Sequence, residues 1–268
     1  MPTPIPLQDS AVYGPIHSRR FGNSLGINIL PLTRKVCSSN CVYCQYGWTP
    51  TSPTERSPER SEGRAKPVEG FRRAPDLLRE IDEAFARHRR IGTPVDCVTI
   101  AGNGEPTLHP DLEALIVGIK RLRDRYFPTA PVGILSDATQ LTRPRVRDAL
   151  QLLDVRCLKF DAADEATWRR INVPLVRVGF DDMVDAIRAM PDIILQSLFL
   201  QGSYDNTDER HVAAWVAAVR TIRPRSVQVY TVDRPTAADG IRPVPREQLQ
   251  VIADRLTAAT GIHADVFE

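Results

Sequence analysis

From residue 74 onward, apolar positions recur in two alternating rhythms. Residues 74–90 set Leu77, Leu78, Ile81 and Phe85 three and four apart, a spacing that predicts a helix burying one stripe. A short apolar run at 96–101 predicts a strand. Leu112, Leu115, Ile116, Ile119 and Leu122 then return the helical period over 111–126. The beat continues with strand 132–135, helix 143–153, strand 155–160, helix 181–190, strand 193–200, helix 209–222, strand 226–231 and helix 246–260. Gly261 serves the last helix as a left-handed stop. Residues 24–30 read as a first strand ahead of these units, and 263–267 as a last one that closes or edges the sheet. Strands and helices that alternate through short connections predict an α/β protein with a parallel sheet and right-handed crossovers. Six units are visible, fewer than the eight of a closed barrel.

Two stretches fall outside this rhythm. Residues 1–23 are proline-rich and then basic, and read as an N-terminal extension to one domain at 24–268. Residues 47–70 combine Pro50, Pro53, Pro58 and Pro67 with Ser, Glu and Arg, which predicts a long, partly mobile polar loop. A chain of 268 residues fits one large domain of this class. The 35 basic and 33 acidic residues leave a net charge of +2, so no strong pull toward nucleic acid or an anionic membrane is expected. No apolar run approaches the ~20 residues that span a bilayer. The first residues carry neither the charged nor the apolar region of a signal peptide, so no secretion is expected.

Chemistry concentrates in Cys37-Ser38-Ser39-Asn40-Cys41-Val42-Tyr43-Cys44, a polar loop after the first strand. Three thiols at C-x3-C-x2-C spacing suit a cluster of four irons and four sulfurs, with three irons held by cysteine and the fourth open to another ligand. Zinc also uses short cysteine spacings. It would need a fourth ligand, which His17 or His109 could supply, and the alternative of a zinc-stapled RNA-binding module stays open. Cys97 and Cys157 sit inside apolar strands and read as core. Five cysteines with a free-thiol site imply a reducing compartment, hence the cytoplasm.

The C-x3-C-x-aromatic-C motif resembles the cluster motif of the radical S-adenosylmethionine (radical SAM) superfamily. The segment from Tyr13 to Asn28, the Gly102-Asn103-Gly104-Glu105-Pro106 turn and Thr231-Val232-Asp233-Arg234-Pro235 resemble its wyosine-synthase-like branch. The resemblance implies a curved, open (βα)6 TIM-like partial barrel, one 4Fe-4S cluster on Cys37, Cys41 and Cys44, and S-adenosylmethionine on the open iron. It further implies reductive cleavage to a 5′-deoxyadenosyl radical. Tyr43 is expected on the adenine, and Gly102, Asn103, Gly104 and Glu105 at the amino group of the cofactor. Ser136 is expected as a polar contact after strand three, Lys159 and Asp161 at the ribose or carboxylate, and Gln196 with Gln201 on strand five. Val229 and Tyr230 are expected to offer backbone to the adenine edge. Arg19, Arg20, Asp233 and Arg234 are the candidates to face substrate. Cys37–Cys44, Gly102–Glu105, Ser136–Thr139, Asp161, Gln201–Ser203 and Asp233–Arg234 all fall at the C-terminal ends of strands, the end at which parallel α/β folds gather their chemistry.

Wyosine synthases carry a second cluster on cysteines upstream of the first, and no cysteine precedes Cys37 here. The expectation is therefore a single cluster, a flavodoxin- or ferredoxin-like electron donor, and a small-molecule or peptide substrate. A tRNA base is the alternative.

Overall fold

The order of elements follows the hydrophobic rhythm closely. In the computed structural model, which describes residues 4–50 and 70–268, the chain begins with the hairpin β1 (Val12–Ser18) and β2 (Gly22–Ile27). Then come α1 (Ala74–Arg90), β3 (Cys97–Ile100), one 3-10 turn at Pro106–Leu108, α2 (Leu112–Tyr126), β4 (Val132–Ser136) and α3 (Pro144–Gln151). They are followed by β5 (Val155–Lys159), α4 (Glu165–Ile171), α5 (Phe180–Arg188), β6 (Ile194–Leu198), β7 (Gln201–Gly202) and α6 (Glu209–Ile222). The chain finishes with β8 (Ser226–Tyr230), β9 (Ile241–Arg242), α7 (Arg246–Thr260) and β10 (Ala264–Phe267). Most of the 47–70 loop, residues 51–69, lies outside the described residues.

Eight strands form one sheet in the order β1-β2-β3-β4-β5-β6-β8-β10. It is parallel from β2 to β10, and β1 lies antiparallel on its edge. This is the curled, open half-barrel that the sequence led us to expect. The helices obey local rules. α1 has Pro75 and Asp76 in its first turn and Arg87 to Arg90 in its last, both favourable to the helix dipole. Asp164 and Asp208 cap α4 and α6 by accepting from Thr167 N–H and His211 N–H, and Gly261 ends α7 at φ 73°.

Alternation along the strands divides the molecule into two sides. Val98, Ile134, Leu158, Leu195, Val227 and Val229 point outward and pack with Leu77, Ile81, Phe85, Ile116, Leu150 and Val219 of the helices in the main core. Each such side chain contributes roughly 1.5–3 kcal/mol on full burial. Their neighbours Lys159, Gln196 and Tyr230 consequently turn to the inner side, where a second, smaller core joins Val42, Ile171, Leu198, Leu200, Tyr230 and Ala238.

Three features depart from the sequence reading. The segment taken as an extension supplies β1. Gly14, Pro15 and a register shift between Tyr13 and Ile16 break its alternation, which hid it. The strand expected at 24–30 is shifted to Gly22–Ile27 by the pairing with β1. α4 was missed because seven residues are too few to show a helical period.

Candidate active site

Cys37, Cys41 and Cys44 lie on the connection leaving β2, and four strand ends fix that connection. At its start, Val36 N–H donates to Asn103 O at 2.9 Å and Glu105 N–H donates to Val36 O at 3.0 Å, on the turn after β3. The Ser38 and Ser39 hydroxyls both donate to Asp137 Oδ2, at 2.8 and 2.7 Å, just past β4. Asn40 N–H reaches the carbonyls of Asn172 and Val173, and Val42 N–H that of Ile171, all beyond β5. Ala238 N–H donates to Val42 O at 2.8 Å from the segment after β8.

The glycines of the Gly102–Glu105 turn serve this docking. A Cβ on Gly104, at φ +139°, would stand 1.8 Å from Val36 O, and one on Gly102, at φ +151°, would stand 2.4 Å from Asn28 Oδ1. Only glycine accepts such torsions and such closeness. What approaches them is the cysteine loop and Asn28, where the resemblance led us to expect cofactor.

All three loop thiols are free, as are Cys97 and Cys157. Burial pushes Cys37 up and Cys41 up to about 12, so both are thiols until a metal displaces the proton. Among the described residues no three His, Cys, Asp or Glu side chains are arranged to hold one metal ion. The donor set of three sulfurs fits an iron–sulfur cluster, in which each thiolate takes a different iron. Two N–H donors already point at sulfur: Lys35 Nζ is 3.1 Å from Cys44 Sγ, and Asn172 Nδ2 is 3.6 Å from Cys41 Sγ. Both histidines named as possible zinc ligands lie elsewhere in function. His109 is buried, accepts from Asp111 N–H through Nδ1 and has Nε2 on Arg72 O; His17 is exposed on β1. Cys97 and Cys157 are buried, on the inner face of their strands.

Glu105 is 2% exposed. Its Oε1 accepts from Thr107 N–H, Thr107 Oγ1 and Ser136 Oγ, while among the described residues Oε2 accepts from Asp137 N–H alone, at 2.6 Å. Burial, and then the Asp137 carboxylate, push the carboxyl up to about 8. A carboxylate has about four lone-pair sites, so Oε2 keeps capacity for one further donor. The Ser136 hydroxyl is thereby spent on Glu105. Asn103, fully buried, is spent on the backbone: its amide donates to Gln8 O and Pro31 O and accepts from Gln8 N–H.

Across the sheet, Lys159 and Asp161 form a buried pair at 2.8 Å. Asp161 also accepts from Tyr43 OH, from Asn172 Nδ2 at 2.7 Å and from Leu198 N–H at 2.9 Å. Lys159 donates to Tyr230 OH and lies 4.8 and 4.7 Å from the ring centres of Tyr43 and Tyr230. Burial works against its charge, but Asp161 and Tyr230 outweigh it and hold the ammonium pKa above its usual value. The pair expected at the strand-four end is thus real, and Tyr43 is part of it.

The candidates for substrate contact also gather. Arg19 pairs with Asp233 at 3.0 Å, the Arg20 guanidinium lies 4.6 Å over the Tyr230 ring, and Arg234 donates to Gln45. Gln196 is buried and donates to Gln228 on β8, and Gln201 donates to Gln248. Val229 points away, its side chain in the main core and its backbone between β6 and β10. Sequence reasoning missed Lys35 and Asn172, and marked Asp137 only as the residue that follows Ser136 after strand three. Only the serines of the cysteine loop hinted at a fixed acceptor.

The chain is 30% identical over 234 residues to a UPF0026 protein of Helicobacter pylori, an alignment covering 84% of this chain and 67% of that one. The chain belongs to the UPF0026 family. No protein-family model matches it. A protein of Brachyspira hyodysenteriae named GTPase Obg is 29% identical over 265 residues; these cover 97% of this chain but 35% of that much longer protein.

Among solved structures, a radical SAM methyltransferase from Sphaerobacter thermophilus superposes with a TM-score of 0.62 at 14% identity, over 91% of this chain and 65% of that one. Streptococcus suis SuiB bound to S-adenosylmethionine gives 0.60 at 16%, covering 91% and 50%. TYW1 with a lysine–pyruvate adduct gives 0.56 at 12%, covering 88% and 73%. The fold is that of radical SAM enzymes, as the cysteine motif led us to expect. Among the described residues no helix is long and apolar enough to cross a membrane.

Proposed function

We propose that this protein is a radical SAM enzyme with one 4Fe-4S cluster on Cys37, Cys41 and Cys44, acting on a small-molecule or peptide substrate. The observation that carries the reading is three free thiols on one loop, at the C-terminal strand ends of an open half-barrel. When bound, the cluster and S-adenosylmethionine supply one-electron cleavage of a sulfonium bond and a carbon radical able to take a hydrogen atom.

The protein's own groups bind and orient. With the cofactor's ammonium as counter-ion Glu105 is favoured in its ionised form and gives up its proton, and Oε2 then offers its free lone pair in a charge-assisted bond. Lys159 offers an ammonium, held in place by Asp161 and Tyr230, to a carboxylate or ribose hydroxyl. The Tyr43 and Tyr230 rings flank that ammonium and close the inner wall against water. The electron comes from a flavodoxin- or ferredoxin-like donor. A small substrate is favoured over tRNA because 35 basic and 33 acidic residues leave a net charge of only +2, and Arg19 is already paired with Asp233. A tRNA site needs cations free for phosphate.

Anaerobic reconstitution followed by iron and sulfide analysis, then dithionite reduction with S-adenosylmethionine, tests the reading. About four irons per chain and release of 5′-deoxyadenosine are expected. A colourless protein that takes up zinc alone defeats it. Tight tRNA binding that persists at physiological salt moves the substrate to RNA.

A further inference from the structure

Lys35 lies just before the first cysteine and is 5% exposed. A lysine stem ordinarily lets its ammonium reach water, yet here the head is turned inward. Nζ donates to Cys44 Sγ at 3.1 Å and to Gly47 O at 2.6 Å. No carboxylate is among these partners. An ammonium removed from water needs a counter-charge, and a neutral thiol is a poor one. A cluster bound through Cys44 Sγ would bring the missing negative charge to hydrogen-bond distance of Nζ. Asn172 makes a comparable approach to Cys41, but it is neutral and longer, at 3.6 Å. Among the described residues, the charged donor at hydrogen-bond distance of a loop sulfur is Lys35, on Cys44.

We propose that Lys35 is a positioning residue that raises the reduction potential of the cluster through Cys44. The inference rests on the reading that this loop holds an iron–sulfur cluster. Hydrogen bonds to sulfur and local net charge set the potential of such clusters. On taking up one electron from the donor, the cluster gains one negative charge. A cation at hydrogen-bond distance stabilises that more negative state more than the oxidised one, so reduction becomes easier. Charge-assisted bonds are about twice as strong as neutral ones, which makes Lys35 the dominant donor here.

The test compares wild type with Lys35→Met, Lys35→Gln and Lys35→Arg, each reconstituted anaerobically and assayed for iron and sulfide. Each is then poised at a series of potentials without S-adenosylmethionine, and the reduced cluster is quantified by electron paramagnetic resonance. At the wild-type midpoint, the two neutral variants are expected to show a reduced-to-oxidised ratio roughly tenfold lower, equal to about 59 mV for a one-electron couple. Lys35→Arg is expected to restore most of it. Neutral variants that load normally and keep the wild-type potential overturn the proposal. If Lys35→Met fails to load, Lys35→Gln decides in the same way. If neither neutral variant loads, Lys35 is only a staple between the loop and Gly47, and the proposal is overturned. A wild-type protein that binds no cluster defeats the functional reading itself, and this inference with it.

Discussion

Glu105→Gln separates the charge of the buried carboxyl from its shape. In the folded protein burial and Asp137 push Glu105 up to about 8, against an ordinary value of 4.5. Below about pH 4.5 folded and unfolded chains both hold the proton, and this group contributes nothing. Between about 4.5 and 8 the unfolded chain releases its proton while the folded one keeps it, so stability falls as pH rises. Above 8 the loss is complete. A shift of this size, at 1.36 kcal/mol per unit, sets a ceiling of about 5 kcal/mol.

Glutamine abolishes that slope at a fixed cost. The Thr107 and Ser136 hydroxyls can rotate to accept from its amide, but Thr107 N–H cannot, and one unsatisfied buried donor costs about 1–3 kcal/mol. The variant should therefore be less stable than wild type at pH 5 and overtake it by pH 8. Urea unfolding of both metal-free proteins at pH 5, 6, 7 and 8 measures the crossing. A difference that stays constant across this range would show that Glu105 is ionised throughout, and the argument from burial would fail.

Asp161→Asn removes the counter-charge of Lys159 and should destabilise the fold by about 3–5 kcal/mol in urea unfolding, because the ammonium stays buried. Gly104→Ala would force a side chain onto Val36 O; about 1–3 kcal/mol of backbone strain and a displaced cysteine loop should appear together, as a lowered melting temperature and a lowered iron content. Cys97→Ser with Cys157→Ser should retain about four irons per chain on reconstitution, whereas alanine at Cys37, Cys41 and Cys44 should retain none. Loss of half the iron in the double variant would refute a single three-cysteine site.

The sequence by itself determined every helix but α4 and most of the sheet. Amphipathic stripes such as Leu77, Ile81 and Phe85 can be buried on one face only, and Gly261 can end a helix wherever the rest of the chain lies. It also supplied the three thiols of the cysteine loop, since their spacing is a local fact. Only the tertiary structure decided how that loop is held. Asp137, 99 residues from Ser38, and Asn172, 131 residues from Cys41, meet the loop because a curled parallel sheet brings its strand ends together. It also showed what several expected site residues touch. Asn103 and Gly104 hold backbone and Ser136 braces Glu105, while Val229 faces the helices because the strand period turns it outward. Lys35 was invisible for a related reason: a lysine in a polar stretch reads as solvated until burial and a sulfur at 3.1 Å show where its charge goes.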